Sequence, residues 1–537
     1  MNHLTTCMPA WLAAVLTALM VLPMSAGTAD AHAVLIASTP SDGAVLSTAP
    51  DRVTLTFSEP VSPLRLRLVG PDGPINLESR QEGESTVAVI MPSALQKGSH
   101  VLSWRVVSLD GHPVGGTTSF SVGAPNERVG RAPVVPTNDA IRLALWACKV
   151  ILYLGLFVGV GGSVFVAWFA PGSTANGRGI VKSALTVGLI AAPVLIGLQG
   201  ADALDLPLSG LADRVTWMVG FDTSFGLTVI VALSALLAGF IVLNAAGKTA
   251  RGLSLFGAAV AALALCLSGH AATASPQWLT KSAVFIHAAA QLFWIGALVP
   301  LASSMRSKVG GKAALLKFSR AIPWAILALV ASGILLAIVQ IETADALITT
   351  AYGRLLCVKI GLVTALLALG AWNRRSLTPA VVGGNVEARG RLARSISIEI
   401  ALAIGVFFVA AAWRFTPPPR ALAIASDVPV HAHLHGVAAM ADVTISPRRA
   451  GLVNVTIIVS KSDFATLVAQ DVSVQLENSG AGLDAIVRPA ALHSDGSWRA
   501  TDIPVPLAGL WDLRVEILID DFEKTTIAGT VKIGSRE

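Results

Sequence analysis

At 537 residues, 53% hydrophobic and 13% charged, with a mean hydropathy of +0.68, the chain is too long and too apolar for a single soluble domain. The net charge of +6 would suit a nucleic-acid partner, but the positions of the basic residues, given below, argue against one. Of the four cysteines, Cys7 lies in a predicted leader, and Cys148, Cys266 and Cys357 lie in apolar runs, which excludes a disulfide framework.

Residues 1–31 are predicted to be a secretory signal peptide: an apolar run over 10–24, then small residues and the cleavage pattern Ala29-Asp30-Ala31. The leader departs from the usual pattern in having no Lys or Arg before its apolar run. A cut after Ala31 makes His32 the mature N-terminus. Its free α-amine and its imidazole then chelate one metal ion together, which no internal histidine can do. Residues 32–124 are predicted to be an all-β domain, an immunoglobulin-like sandwich or barrel. Its short β-branched runs are 53–57, 65–69, 86–90, 101–107 and 117–122, separated by the turn signals Ser41-Asp42-Gly43, Pro71-Asp72-Gly73 and Lys97-Gly98. Residues 125–139, with three prolines, are predicted to be a linker.

Residues 140–416 are predicted to be an eight-helix transmembrane bundle, with cores near 143–169, 181–201, 223–244, 252–271, 283–304, 321–341, 353–372 and 396–415. Alternate loops carry the basic residues, among them Arg178, Lys182, Lys248, Arg251, Arg306, Lys312, Arg374, Arg375, Arg389 and Arg391. The other loops carry mainly Asp205, Asp213, Glu342 and Asp345. This is the positive-inside pattern, and it accounts for the basic balance through the membrane rather than through nucleic acid. With an even number of spans, both flanking domains are expected on the periplasmic or extracellular face of the plasma (inner) membrane. Residues 417–537 leave the membrane through Pro417-Pro418-Pro419 and are predicted to be a second all-β sandwich.

The histidines concentrate the candidate chemistry. Asp110-Gly111-His112 offers a carboxylate and an imidazole two residues apart, on one face if the segment is extended. Joined to the His32 amine and ring, this nitrogen-rich set with one oxygen suits Cu(II). Cys266 and His270, at i and i+4 on the fourth predicted span, with His287 on the fifth, form a softer set suited to Cu(I). His431-Ala432-His433-Leu434-His435 puts three imidazoles on one face of a strand, with Met440 five residues on. Lys359 and Glu399 would pair as a structural ion pair within the bundle. No G-x-x-x-x-G-K-[ST] loop is present, so ATP is not expected to drive the protein.

These residues resemble a fusion of the copper-resistance C and D families (CopC and CopD). His32-Ala33-Val34-Leu35, Ser38-Thr39-Pro40-Ser41-Asp42-Gly43, Leu55-Thr56-Phe57-Ser58-Glu59-Pro60 and Ser108-Leu109-Asp110-Gly111-His112-Pro113-Val114 carry the CopC likeness. That likeness implies a periplasmic β domain binding Cu(II) through His32, Asp110 and His112. Ser268-Gly269-His270-Ala271, the stretch from His287 through Trp294-Ile295-Gly296-Ala297-Leu298, Phe318-Ser319-Arg320 and Tyr352-Gly353-Arg354-Leu355-Leu356 carry the CopD likeness. That implies copper uptake across the inner membrane. Residues 420–537 resemble, less specifically, a YtkA-like domain.

The expected function is therefore Cu(II) capture outside the cell membrane followed by inward passage, with Cu(I) in the membrane and C-terminal sites. The expected partners are copper ions, the lipid bilayer and periplasmic copper chaperones, and no catalysis is expected. The other functions considered are a copper sensor or buffer, a haem or redox protein using His270 and His287, and a copper oxygenase.

Overall fold

The structure, a computed structural model, describes residues 33, 35–42, 44–70, 73–93, 95–108, 111, 113–123, 139–170, 175–306, 311–421, 429–436, 438–461, 467–520 and 523–534. The predicted signal peptide and residues 125–138 of the predicted linker lie outside the described residues. The helices form one compact unit, and the two β segments fall in the other.

The N-terminal segment contains β1 (Leu35–Thr39), β2 (Ala44–Leu46), β3 (Arg52–Phe57), β4 (Val61–Gly70), β5 (Gly73–Asn76), β6 (Ser79–Gly83), β7 (Thr86–Ile90), β8 (Gly98–Ser108) and β9 (Pro113–Val122). They make two sheets, ordered β1-β3-β7-β6 and β2-β9-β8-β4-β5. Alternation makes the core: Val53, Leu55 and Phe57 from β3 are buried with Leu66, Leu68, Val87, Val89, Leu102, Trp104, Val106 and Phe120. Phe57 meets Trp104 edge-on at 5.2 Å.

The helical segment contains α1 (Asp139–Trp168), α2 (Ala175–Leu204), α3 (Arg214–Asp222), α4 (Ser224–Val242), α5 (Gly247–Ala264), α6 (His270–Thr273), α7 (Gln277–Arg306), α8 (Lys312–Ile341), α9 (Ala346–Thr349), α10 (Ala351–Val382) and α11 (Val386–Ala412). Among the described residues, seven helices are long and apolar enough to cross a membrane: α1, α2, α4, α7, α8, α10 and α11. The fourth predicted span, the one missing from these seven, corresponds to α5, whose first turns carry Lys248 and Arg251 and which stops at Ala264 rather than near 271. Five residues past that end Gly269 takes φ +94°, a conformation that glycine tolerates and a helix does not, so the helix does not resume through it.

On α8, Trp324, Leu327, Ile334 and Ile338 are exposed, an apolar surface suited to lipid and to a multi-pass membrane protein. α1 is the most enclosed span, with 83% of its apolar window buried. It contains a π-helical stretch, Gly155–Val160, followed by Gly161. Gly161 packs on Gly296 of α7 so closely that a Cβ at 161 would lie 2.2 Å from the Leu292 carbonyl oxygen.

The C-terminal segment contains β10 (Val430–His435), β11 (Ala439–Ser446), β12 (Gly451–Lys461), β13 (Asp471–Asn478), β14 (Leu483–Leu492), β15 (Trp498–Val505), β16 (Gly509–Leu518) and β17 (Lys524–Ile533). All pair antiparallel, in the order β10-β11-β12-β15-β14-β13-β16-β17. β14 and β15 share two residue pairs, Ala491 with Arg499 and Leu492 with Trp498, so they form a corner between two four-stranded layers. Val443, Ile445, Val455, Ile457, Val474, Leu513 and Val515 fill the space between, around the fully buried Trp511.

Candidate metal centres

His32, Asp110 and His112 lie outside the described residues. Their frame is described. β8 ends at buried Ser108, whose carbonyl accepts from Gly111 N at 2.9 Å, and β9 starts at Pro113. Gly111, between the two strands, takes φ +87°. His100 belongs to the core: it is 2% exposed, its Nε2 bonds the Gln96 carbonyl at 2.9 Å, and its ring stacks on Phe120. Met91 is also a core residue.

In the bundle, the expected i, i+4 face of Cys266 and His270 does not exist. Cys266 lies in the turn after α5, and its Sγ donates to the Ala262 carbonyl at 3.3 Å and the Lys281 carbonyl at 3.4 Å. His270 opens the separate short helix α6 beyond Gly269. The spacing rule holds only along an unbroken helix, and Ser268-Gly269 breaks this one.

His287 of α7 is held by α8. Its Nδ1 donates to the Leu329 carbonyl at 3.2 Å and lies 3.1 Å from Ser332 Oγ, while Gln291 Nε2 donates to its Nε2 at 3.2 Å. A carbonyl only accepts and an amide N–H only donates, so the ring is the neutral Nδ1–H tautomer with its lone pair on Nε2. Orientation by a backbone carbonyl is the support typical of a metal-ligating histidine, and an ion at Nε2 would displace the Gln291 amide. Gln340 of the same helix donates to the His270 carbonyl at 3.0 Å. His270 and His287 thus lean on α8 at residues eight apart, about 12 Å along its axis.

The proposed Lys359–Glu399 pair is replaced by two other arrangements. Lys359 Nζ lies 4.5 Å from the centroid of the Trp413 ring, which stacks on Tyr352. Glu399, 3% exposed, accepts from Asn373 Nδ2 at 2.5 Å. Lys359 and Asn373 are fourteen residues apart on α10, about 21 Å, so Lys359 cannot reach the carboxylate. The Glu399–Asn373 contact was hidden because no sequence pattern aligns α10 with α11.

In the C-terminal segment, His431, His433 and His435 lie on β10 and pair with Thr444, Asp442 and Met440 of β11. His431 Nδ1 bonds Thr444 Oγ1 at 2.9 Å, and His433 Nδ1 bonds Asp442 Oδ1 at 2.7 Å. Burial pushes His431 below the ordinary imidazole range, opposed by the Asp442 carboxylate. Among the described residues, no group of three or more His, Cys, Asp and Glu is arranged to hold a metal ion.

Three family descriptions match the chain: a CopC domain over residues 35–123, a copper resistance protein D-like N-terminal domain over 138–278, and copper resistance protein D over 312–413. These ranges leave His287 between them and stop before the C-terminal β segment. The copper transport protein CutJ of Bacillus subtilis is 28% identical over 442 residues, covering 76% of this chain and 78% of that protein. Copper resistance protein C of Xanthomonas campestris pv. juglandis is 32% identical over 110 residues, covering 18% of this chain and 86% of that protein. The crystal structure of CopC from Methylosinus trichosporium OB3b is 27% identical, with 18% of this chain and 100% of that chain covered and a TM-score of 0.16.

Proposed function

The chain belongs to the copper-resistance C family and carries the membrane portion of the D family in one polypeptide; on that footing we propose that it captures Cu(II) outside the membrane and takes copper inward. His32, Asp110 and His112 hold the ion at the outer domain. The next stations are His270 and His287, where copper passes as Cu(I), with both domains that flank the bundle on the periplasmic or extracellular side. The observation that carries this is His287: an imidazole enclosed between α7 and α8, oriented by the Leu329 carbonyl, with its Nε2 lone pair accepting from the Gln291 amide. The likeness to a protein named for copper transport over three-quarters of the chain gives further support.

The test is copper content in cells grown at limiting copper. Loss of the protein, or His270→Ala combined with His287→Ala, is expected to lower accumulated copper several-fold while protein level in the membrane stays constant. Unchanged copper content in the double variant at equal protein level overturns the uptake route.

A further inference from the structure

The β10–β11 face carries more than a row of histidines. In an antiparallel pair, directly opposed residues share a face, and residues two apart on a strand share it too, so His431 and His433 share theirs with Thr444, Asp442 and Met440. The opposite face of β11, Ala439, Ala441, Val443 and Ile445, packs into the sandwich core. Met440 points away from that core and is not part of it, yet it is fully buried. The His433 side chain is 5% exposed. Its Nδ1 is tied to Asp442, and its Nε2 is buried with no hydrogen-bond partner. A buried polar nitrogen without a partner is costly and uncommon, and here a carboxylate fixes the direction in which its lone pair points.

We propose that His433 Nε2 and the Met440 thioether form a Cu(I) site on the outer face of the C-terminal β segment, with Asp442 as the group that orients the imidazole. The two residues are diagonal neighbours across the strand pair, with Cα atoms about 7–8 Å apart. Two long side chains close that distance around a single ion. Imidazole with thioether is a soft pair: it suits Cu(I) and disfavours hard cations, which seek oxygen. Two protein donors leave the ion exchangeable, as a hand-over station requires. His431, oriented by Thr444 of β11 and two residues before His433 on β10, stands about 7 Å further along this face as the neighbouring imidazole. The site borrows only the identity of the ion from the copper reading; its donors come from the register of β10 on β11.

The experiment is a Cu(I) titration of the full-length protein in detergent, under a reductant, against a chromogenic Cu(I) chelator. Met440→Leu and His433→Gln are each expected to remove the same single equivalent of Cu(I). Both variants retaining the wild-type number of Cu(I) ions at wild-type affinity overturns the site. Asp442→Asn, at a half-exposed position, tests the site where either core-adjacent variant fails to fold. It is expected to weaken that equivalent by roughly 10–100-fold, and unchanged affinity overturns the orienting role and the site with it. X-ray absorption at the copper edge adds a second readout: a sulfur scatterer lost in Met440→Leu is expected, and its persistence counts against thioether ligation. Cellular copper content separates the two proposals. Full accumulation with an unchanged titration removes this site alone, whereas loss of the equivalent in a protein that accumulates no copper removes uptake alone.

Discussion

His433 has one nitrogen anchored to Asp442 and the other enclosed, while His431 is anchored to Thr444 and held below the ordinary imidazole range by burial. The second fact has a pH consequence. A lowered pKa keeps the His431 ring neutral further into acid than a free imidazole of about 6.5, whereas an N-terminal α-amine of about 7.7–8.0 must lose its proton before it can bind. Acidifying the copper-loaded protein through that range is therefore expected to release the Cu(II) held at the chain start, read as conversion of its nitrogen-ligand electron paramagnetic resonance signal into that of aqueous Cu(II), and an unchanged signal would contradict the assignment. The alternating histidines were legible because strand parity needs only sequence. Met440 was noted by its nearness in the chain and Asp442 was not, and the place of both on the same face depends on which residue of β11 lies opposite each residue of β10. Cys266 and His270 mark the opposite case: the spacing invited one helical face, and the Ser268-Gly269 signal that breaks it was already present.

At the scale of elements, the long apolar runs and the β-branched runs were readable, and the runs over 86–90 and 53–57 became β7 and the greater part of β3. The short strands β1, β2, β5 and β6 escaped because three to five residues carry too little periodicity to stand out. The contact between α1 and α7 was also invisible, since two glycines become informative only when their helices meet. Gly161→Val is expected to destabilise the bundle by at least ~2 kcal/mol, because the added carbons run into the backbone of Leu292, which cannot move aside. Gly179→Ala, with nothing near its added carbon, is the control and is expected to be neutral or slightly stabilising. Thermal unfolding in detergent measures both, and equal midpoints would rule out a tight α1–α7 seam.

For the whole molecule, the proposal requires a processed chain start on the same side of the membrane as the C-terminal β segment. Mass spectrometry of the mature protein is expected to find His32 first, and protease added to intact spheroplasts is expected to cut beyond residue 420 while sparing the basic loops around Arg306 and Arg374. A mature chain beginning elsewhere removes the amine ligand, and cleavage at the basic loops alone inverts the topology. One ion pair bears on how the protein behaves under load. Arg414, just past α11, binds Asp202 near the end of α2 at 2.6 Å, with 8% and 21% of the two side chains exposed. Such an enclosed pair is costly to split, about 3–5 kcal/mol when one partner is lost. It acts as a rivet at the point where the chain leaves the bundle. Swinging or tugging of the residues that follow meets it first, so α11 keeps its roll about its own axis, and the hold of Asn373 on Glu399 midway along that helix is shielded from the disturbance.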